Sequence, residues 1–88
     1  MRRIKDRKLA LILATGRCPG ISKDLASGAY WLGSLLLAAR GWSTIGGFTQ
    51  VAKLPGGRFA AQIDGRWAIT FAWDWDVNRA FELDLEYL

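Results

Sequence analysis

Residues 57–87 read GRFAAQIDGRWAITFAWDWDVNRAFELDLEY, and this stretch decides the fold. Large apolar side chains occupy odd-numbered positions in three consecutive runs, which are separated by Asp64-Gly65-Arg66 and by Asp76-Val77-Asn78. A period of two places these side chains on one face of a β-strand and their even-numbered neighbours on the other face. The stretch therefore predicts three strands that share one apolar face.

The alternation also predicts the register, because directly opposed residues in an antiparallel pair lie on the same face. A three-residue loop at the first connection places Phe59 opposite Phe71, whereas a two-residue turn would mix the two faces. A loop of the same length at the second connection places Trp73 opposite Phe81. We therefore expect a meander in which every odd-numbered residue from 59 to 87 faces the core.

The first half of the chain carries helical signals. Apolar residues at helical spacing predict a first helix over roughly Ile4–Thr15. Ser22 is placed as an N-cap for a second helix, which we expect to end near Arg40-Gly41. Residues 41–47 are expected to form a loop, and Phe48–Lys53 offers a fourth strand.

Composition and charge limit the classes of function. The net charge is +4, but residues 1–66 carry eleven Lys and Arg against three Asp, whereas residues 67–88 carry one Arg against five acids. A basic surface of this kind fits a polyanion or an acidic protein segment. With one cysteine and no histidine, the chain lacks the common ligands of a metal site and the base of a Ser-His-Asp or Cys-His arrangement. We therefore expect no metal and no cofactor.

The apolar runs do not predict export or a membrane span. The run at Leu9–Ala14 is too short for a signal peptide, and the run at Leu25–Ala39 is too short and too interrupted to cross a bilayer. A single cysteine fits a reducing compartment. We therefore expect a cytoplasmic protein that has no membrane partner.

In this order, the segments resemble the HigB/RelE-type toxins of bacterial toxin–antitoxin pairs, most closely the HigB-like plasmid maintenance killer group. The resemblance covers most of the chain and is carried by Ala14-Thr15-Gly16-Arg17, by Gly57–Trp73 and by Ala80–Tyr87. It implies a single α+β domain over residues 1–88, in which an N-terminal helical hairpin packs on a three- to four-stranded antiparallel sheet, as in the RelE-like toxin fold.

The resemblance also implies a function. It identifies the chain as the toxin component of a type II toxin–antitoxin system, a metal-independent endoribonuclease (mRNA interferase) that enters the ribosomal A site, cleaves mRNA and inhibits translation. The implied partners are the ribosome with its mRNA and a cognate antitoxin, often of helix-turn-helix type. Such cleavage makes the RNA 2′-hydroxyl attack the adjacent phosphate. The protein must remove that proton, stabilise the extra negative charge and protonate the leaving oxygen.

Matching the family position by position gives two groups of candidate site residues. The candidates for catalysis are Lys53, Arg58, Glu86 and Tyr87. The candidates for RNA contact are the basic residues Arg2, Arg3, Lys5, Arg7, Lys8 and Arg66. Each of these can equally be a solvated surface group, and the predicted register places Tyr87 on the apolar face.

Two further interpretations stay open at this point. Positions that are arginine in the family fall on Gln62, Ala68 and Ala72, and the family's terminal histidine has no counterpart. The chain can therefore be a degenerate, non-catalytic relative that retains only antitoxin or RNA binding. An unrelated small basic RNA-binding domain is less favoured, because the aromatic side chains are predicted on the buried face rather than on an exposed stacking platform.

Overall fold

The computed structural model describes residues 3–47 and 49–88, and it shows helices followed by a four-stranded antiparallel sheet. The α-helices and strands, in chain order, are α1 (Arg7–Thr15), α2 (Lys23–Ala38), α3 (Trp42–Gly46), β1 (Val51–Lys53), β2 (Arg58–Gln62), β3 (Trp67–Asp74) and β4 (Arg79–Tyr87), and a short 3-10 turn at Pro55–Gly57 connects β1 to β2. The strands lie in the sheet in the order β1-β2-β3-β4. The predicted α+β class, with helices packed on a meander, is confirmed.

The start of the chain differs from the predicted helix. The Asp6 carboxylate caps α1 by accepting hydrogen bonds from the backbone N–H groups of Lys8 (3.3 Å) and Leu9 (3.2 Å), so the helix begins at Arg7. Ile4 instead forms a parallel bridge with Leu83. The segment 3–5 thereby runs along the outer edge of β4.

The second helix begins as predicted and packs closely on the sheet. The Ser22 hydroxyl accepts a hydrogen bond from the N–H of Leu25 (3.2 Å), and the helix ends at Ala38, slightly earlier than predicted. Glycine in a helix interior costs about 1 kcal/mol relative to alanine. Gly28 is nevertheless needed, because a Cβ atom there would lie 2.7 Å from Cγ2 of Ile63.

The connection between α2 and the sheet was predicted only in part. The expected loop at 41–47 contains the short helix α3, which places Trp42 against the sheet with its ring centroid 4.5 Å from that of Phe59. The predicted fourth strand is present but shorter, since it begins at Val51. Phe48, where it was expected to begin, lies outside the described residues.

The first hairpin has the predicted register. Phe59 lies opposite Phe71, and the N–H of Ile63 donates a hydrogen bond to the carbonyl of Trp67 (2.9 Å). The Asp64 carboxylate accepts hydrogen bonds from the N–H groups of Trp67 (3.0 Å) and Arg66 (3.1 Å), which closes the three-residue loop. These two hydrogen bonds, that of Trp67 first, hold the pKa of Asp64 below its usual range.

The second hairpin has the predicted register only at the end away from its turn. Trp67 lies opposite Tyr87 as expected, but the register shifts between Thr70 and Ala72. The prediction that Trp73 lies opposite Phe81 is therefore wrong. Trp73 lies opposite Ala80, and Phe81 lies opposite Ala72, on the face away from the helices.

Two local features explain this correction. The turn spans residues 75–78 rather than 76–78 and is closed by the Asp74 carboxylate, which accepts hydrogen bonds from the N–H groups of Asp76 (2.9 Å) and Val77 (3.3 Å). A β-bulge then shifts the register, and Glu82 in this bulge adopts a left-handed backbone conformation with φ of 53°. Residues beyond the bulge return to the predicted faces.

Within residues 3–47 and 49–88, no helix combines the length and the apolar character that a bilayer crossing requires.

Candidate functional site

The sheet face away from the helices, here called the open face, carries a line of hydrogen-bonded side chains across three strands. Nη2 of Arg58 on β2 donates to Oγ1 of Thr70 on β3 (3.2 Å), and the Thr70 hydroxyl donates to Oε2 of Glu86 on β4. Thr70 is fully buried beneath these longer side chains. The small side chains of Ala60 and Ala68, which lie beside this line in the sheet, leave room for it.

Glu82 holds the guanidinium of Arg58 in place. Nη2 of Arg58 also donates to the backbone carbonyl of Glu82 (2.8 Å), and its Nη1 lies 3.7 Å from Oε1 of the same residue. Glu82 is the bulge residue with the left-handed backbone. The bulge that breaks the predicted register is therefore part of the geometry of this site.

The surroundings raise the pKa of Asp84, an ionisable group on the open face. It lies opposite Thr70 in the ladder, on the same face of β4 as Glu86. Partial burial is the largest cause, followed by the negative charges of Glu86 and Asp6, while Lys5 and Arg58 act in the opposite direction. Asp84 therefore keeps its proton to a higher pH than an ordinary aspartate.

The structure brings together two of the four candidates for catalysis, Arg58 and Glu86, and places the other two on the opposite face of the sheet. Lys53 lies opposite Phe59, on the side of the helices, where its side chain is exposed at the end of β1. Tyr87 lies opposite Trp67, with the two ring centroids 5.2 Å apart, and 61% of its surface is exposed. Neither residue shares the open face with the Arg58–Thr70–Glu86 line.

The candidates for RNA contact have different surroundings. Arg2 lies outside the described residues. Arg3 is engaged with the backbone, since its Nε donates to the carbonyl of Ala80 (3.1 Å) and its Nη2 to that of Leu37 (3.1 Å). It thereby ties the N-terminal segment to β4 and to the end of α2.

The remaining candidates for RNA contact are exposed. They are Lys5, Arg7, Lys8 and Arg66. Lys8 lines a cavity of about 510 Å³ together with Trp67 and Tyr87, and the guanidinium carbon of Arg66 lies 5.8 Å from the centre of the Tyr87 ring. Some of the cations are therefore grouped near the start of α1 and the end of β4.

Trp42 and Trp73 are packed against the core and do not form an exposed platform on which bases could stack. Trp73 is buried, and the half-buried ring of Trp42 contacts both Trp73 (5.4 Å between centroids) and Trp75 (5.3 Å). Trp75 is 61% exposed at the turn between β3 and β4. Its ring contacts Trp42, and its sequence neighbours are Asp74 and Asp76, whose negative charges disfavour binding of an RNA phosphate.

Sequence reasoning missed Thr70 and Asp84 as members of the site. The predicted alternation places both even-numbered residues on the face away from the core, but neither is among the candidate site residues. The available signal was position, because Thr70 is the polar residue between Ala68 and Ala72 in the middle strand. A hydroxyl there lies between the basic residue of β2 and the acids of β4.

Comparison of the chain with models of known protein families and with curated proteins gives no match. The likeness to HigB/RelE-type toxins thus depends on the motifs quoted above, and the activity and partners that it implies are proposals.

Proposed function

We propose that this chain is the toxin component of a type II toxin–antitoxin system and acts in the cytoplasm as a ribosome-dependent, metal-independent mRNA endoribonuclease. The observation that supports this function best is the Arg58–Thr70–Glu86 line on the open face. It connects a cation suited to phosphate on β2 to a proton-accepting carboxylate on β4 through Thr70 on the intervening strand β3, beside a carboxyl whose pKa is raised. The likeness of motif order and spacing to HigB-type toxins points to the same activity.

Each step of the cleavage has a residue suited to it. Glu86 accepts the proton of the attacking 2′-hydroxyl, and Arg58 stabilises the extra negative charge on the phosphate. Asp84, with its raised pKa, protonates the leaving 5′-oxygen.

Recognition of the ribosome falls to the exposed cations. Arg7 and Lys8 lie in the first turn of α1, Lys5 lies just before this helix, and Arg66 lies in the first hairpin loop. Contacts between such side chains and phosphates are independent of sequence and weaken as salt concentration rises. The acids of β4 oppose these contacts, so binding should depend on the ribosome's own shape as well as on charge.

The test is cleavage of a defined message on purified, programmed ribosomes. Glu86→Gln removes the base and Arg58→Lys removes a bidentate donor to phosphate. Each should reduce the cleavage rate by about 10²-fold or more. Lys53→Ala and Tyr87→Phe are matched controls from the opposite face and should cleave at nearly the wild-type rate. Thermal unfolding of every variant separates lost chemistry from lost folding.

Expression in cells gives a second readout of the same proposal. The chain expressed alone should arrest growth and translation, and co-expression of the protein encoded by the neighbouring reading frame should relieve the arrest. Unchanged growth together with intact message on ribosomes would count against a ribonuclease toxin. Equal losses in the Lys53 and Tyr87 variants would move the chemistry to the helix side of the sheet.

A non-catalytic relative that retains antitoxin or RNA binding is the second candidate. It is favoured by the engagement of Arg58 with Glu82, which already occupies the guanidinium, and by the acids Glu82, Asp84 and Glu86 on β4, which repel phosphate. A tight complex with the antitoxin, without any message cleavage by the free chain, would select this function.

A further inference from the structure

The two edges of the sheet are not equally protected. Along the outer edge of β4, the N–H of Lys5 donates to the carbonyl of Leu83 (2.7 Å), and the N–H of Leu83 donates to the carbonyl of Arg3 (3.0 Å). No strand among the described residues lies beside the other edge, which β1 forms. An uncovered edge strand is a template for pairing with another chain.

The register identifies which backbone groups of β1 face outward. The N–H of Leu54 donates to the carbonyl of Arg58 (2.8 Å), and the two residues are directly opposed when the β1–β2 register is extended by one position. Hydrogen-bonded and non-hydrogen-bonded pairs alternate along an antiparallel ladder. Ala52 therefore bonds to Ala60 in β2, whereas the N–H and C=O groups of Val51 and Lys53 point away from the sheet.

A groove adjoins this edge. A cavity of about 750 Å³ is lined by Val51 and Ala52 of β1 and by residues on both sides of the strand, among them Trp42, Gly46, Leu54 and Leu88. The groove offers apolar contacts next to the free backbone groups. An extended peptide can satisfy both features at once, because its backbone pairs with the strand while alternate side chains enter the groove.

We propose that the edge of β1 receives an extended segment of an acidic partner protein, which adds as an antiparallel fifth strand. Val51 and Lys53 would form the two hydrogen-bonded pairs. Residues opposite them share the helix side of the sheet, so an acid should face Lys53 and an apolar residue should face Val51. Because the added strand runs antiparallel, its recognition sequence reads acid, any residue, apolar.

Charge favours a partner over a second copy of this chain. If two copies paired through β1, the lysine-bearing edge of one would face the identical edge of the other, and each copy carries a net charge of +4. Lysine on an edge strand is a common means of preventing such self-pairing. This inference goes beyond the ribonuclease proposal and does not require it, since strand addition uses backbone groups that take no part in the open-face chemistry.

The experiment is titration of the full chain with the synthetic peptide acetyl-Thr-Glu-Thr-Val-Thr-amide, followed by amide NMR signals and hydrogen exchange. The signals of Val51 and Lys53 should shift and their exchange should slow, while exchange at Ala52 stays the same. Val51→Pro removes an outward N–H without removing a ladder hydrogen bond, and it should weaken binding by about tenfold. Val51→Ala keeps the N–H and should retain most of the affinity.

A charge swap tests the acidic character of the partner. Lys53→Glu should bind acetyl-Thr-Lys-Thr-Val-Thr-amide better than the glutamate peptide, which reverses the wild-type preference. The proposal is overturned if no signals shift, if the shifts map to another surface, or if Val51→Pro binds as well as the wild type. Pairing of β1 with a second copy, seen as concentration-dependent protection of Val51 without peptide, would overturn it as well. None of these outcomes depends on whether the chain cleaves RNA.

Discussion

Alanine at position 28 should destabilise the protein even though alanine is the better helix former. A Cβ atom at Gly28 would lie 2.7 Å from Cγ2 of Ile63, a methyl group on a β-branched side chain that has little rotamer freedom. Alanine gains about 0.8–1.0 kcal/mol of helix propensity. Overpacking of this kind costs about 1–3 kcal/mol. We therefore expect a net loss of roughly 1 kcal/mol in the free energy of unfolding.

Other helical glycines supply matched controls. A Cβ at Gly46 in α3 has nothing within 4 Å, and one at Gly33 would meet Cδ2 of Leu13 at 2.9 Å, the far end of a flexible side chain. Gly46→Ala should leave stability unchanged or raise it, and Gly33→Ala should fall between the two. In a domain of this size, a loss of 1 kcal/mol lowers Tm by about 4–8 °C, which thermal unfolding followed by circular dichroism resolves readily.

A double-mutant cycle isolates the contact itself. Ile63→Ala removes the Cγ2 atom, so Gly28→Ala should cost less in that background, by about 1 kcal/mol or more. If Gly28→Ala raises Tm as much as Gly46→Ala does, or if its effect is the same with and without Ile63→Ala, the close approach of α2 to the first hairpin is not what selects glycine.

The remaining predictions concern the aromatic cluster and two carboxylates. Trp42→Ala should lower the free energy of unfolding by about 3 kcal/mol, measured by urea denaturation, because this half-buried ring packs against the core. Trp75→Ala, at an exposed ring, should cost much less. Asp84→Asn should raise Tm at pH 7. Because the pKa of Asp84 is raised in the folded state, ionisation of this carboxyl lowers the stability of the wild type as the pH rises through the usual aspartate range. The gain in Tm should therefore vanish at lower pH, where the carboxyl is protonated. Asp64→Ala should lower Tm at pH 7. This effect should fade as the pH falls through the lowered pKa of Asp64 in the folded state, because protonation of Asp64 weakens the same turn hydrogen bonds in the wild type.

Parity of the side chains predicted most of the sheet but could not reveal the bulge. From Phe59 to Leu85, most odd-numbered apolar residues face the helices as expected, because a one-residue slip would expose the whole set. The exception within the strands is Phe81. Ala80 and Phe81 are both apolar, so the sequence fits a strand that turns either one inward, and the turn closed by Asp74 decides in favour of Ala80.

The short helix α3 had no periodic signal. Its five residues are too few for a helical pattern, and two of its neighbours are glycines, which favours a loop from sequence alone. The structure has a helix there because Trp42 packs against Phe59, Trp73 and Trp75. Tertiary packing of this kind stabilises helices that are too short to be stable by propensity.

The same parity argument that predicted the sheet also limits any chemistry on the open face. Lys53 and Phe59 are opposed in the ladder, as are Arg58 and Ala72, so Lys53 and Arg58 project from opposite faces. Tyr87 is separated from Glu86 in the same way, because neighbouring residues in a strand alternate. Matching a family motif by position cannot detect this separation, since it compares residue types and not faces. A site on the open face must therefore do without Lys53 and Tyr87 and draw on Thr70 and Asp84, which only the three-strand geometry brings next to Arg58 and Glu86.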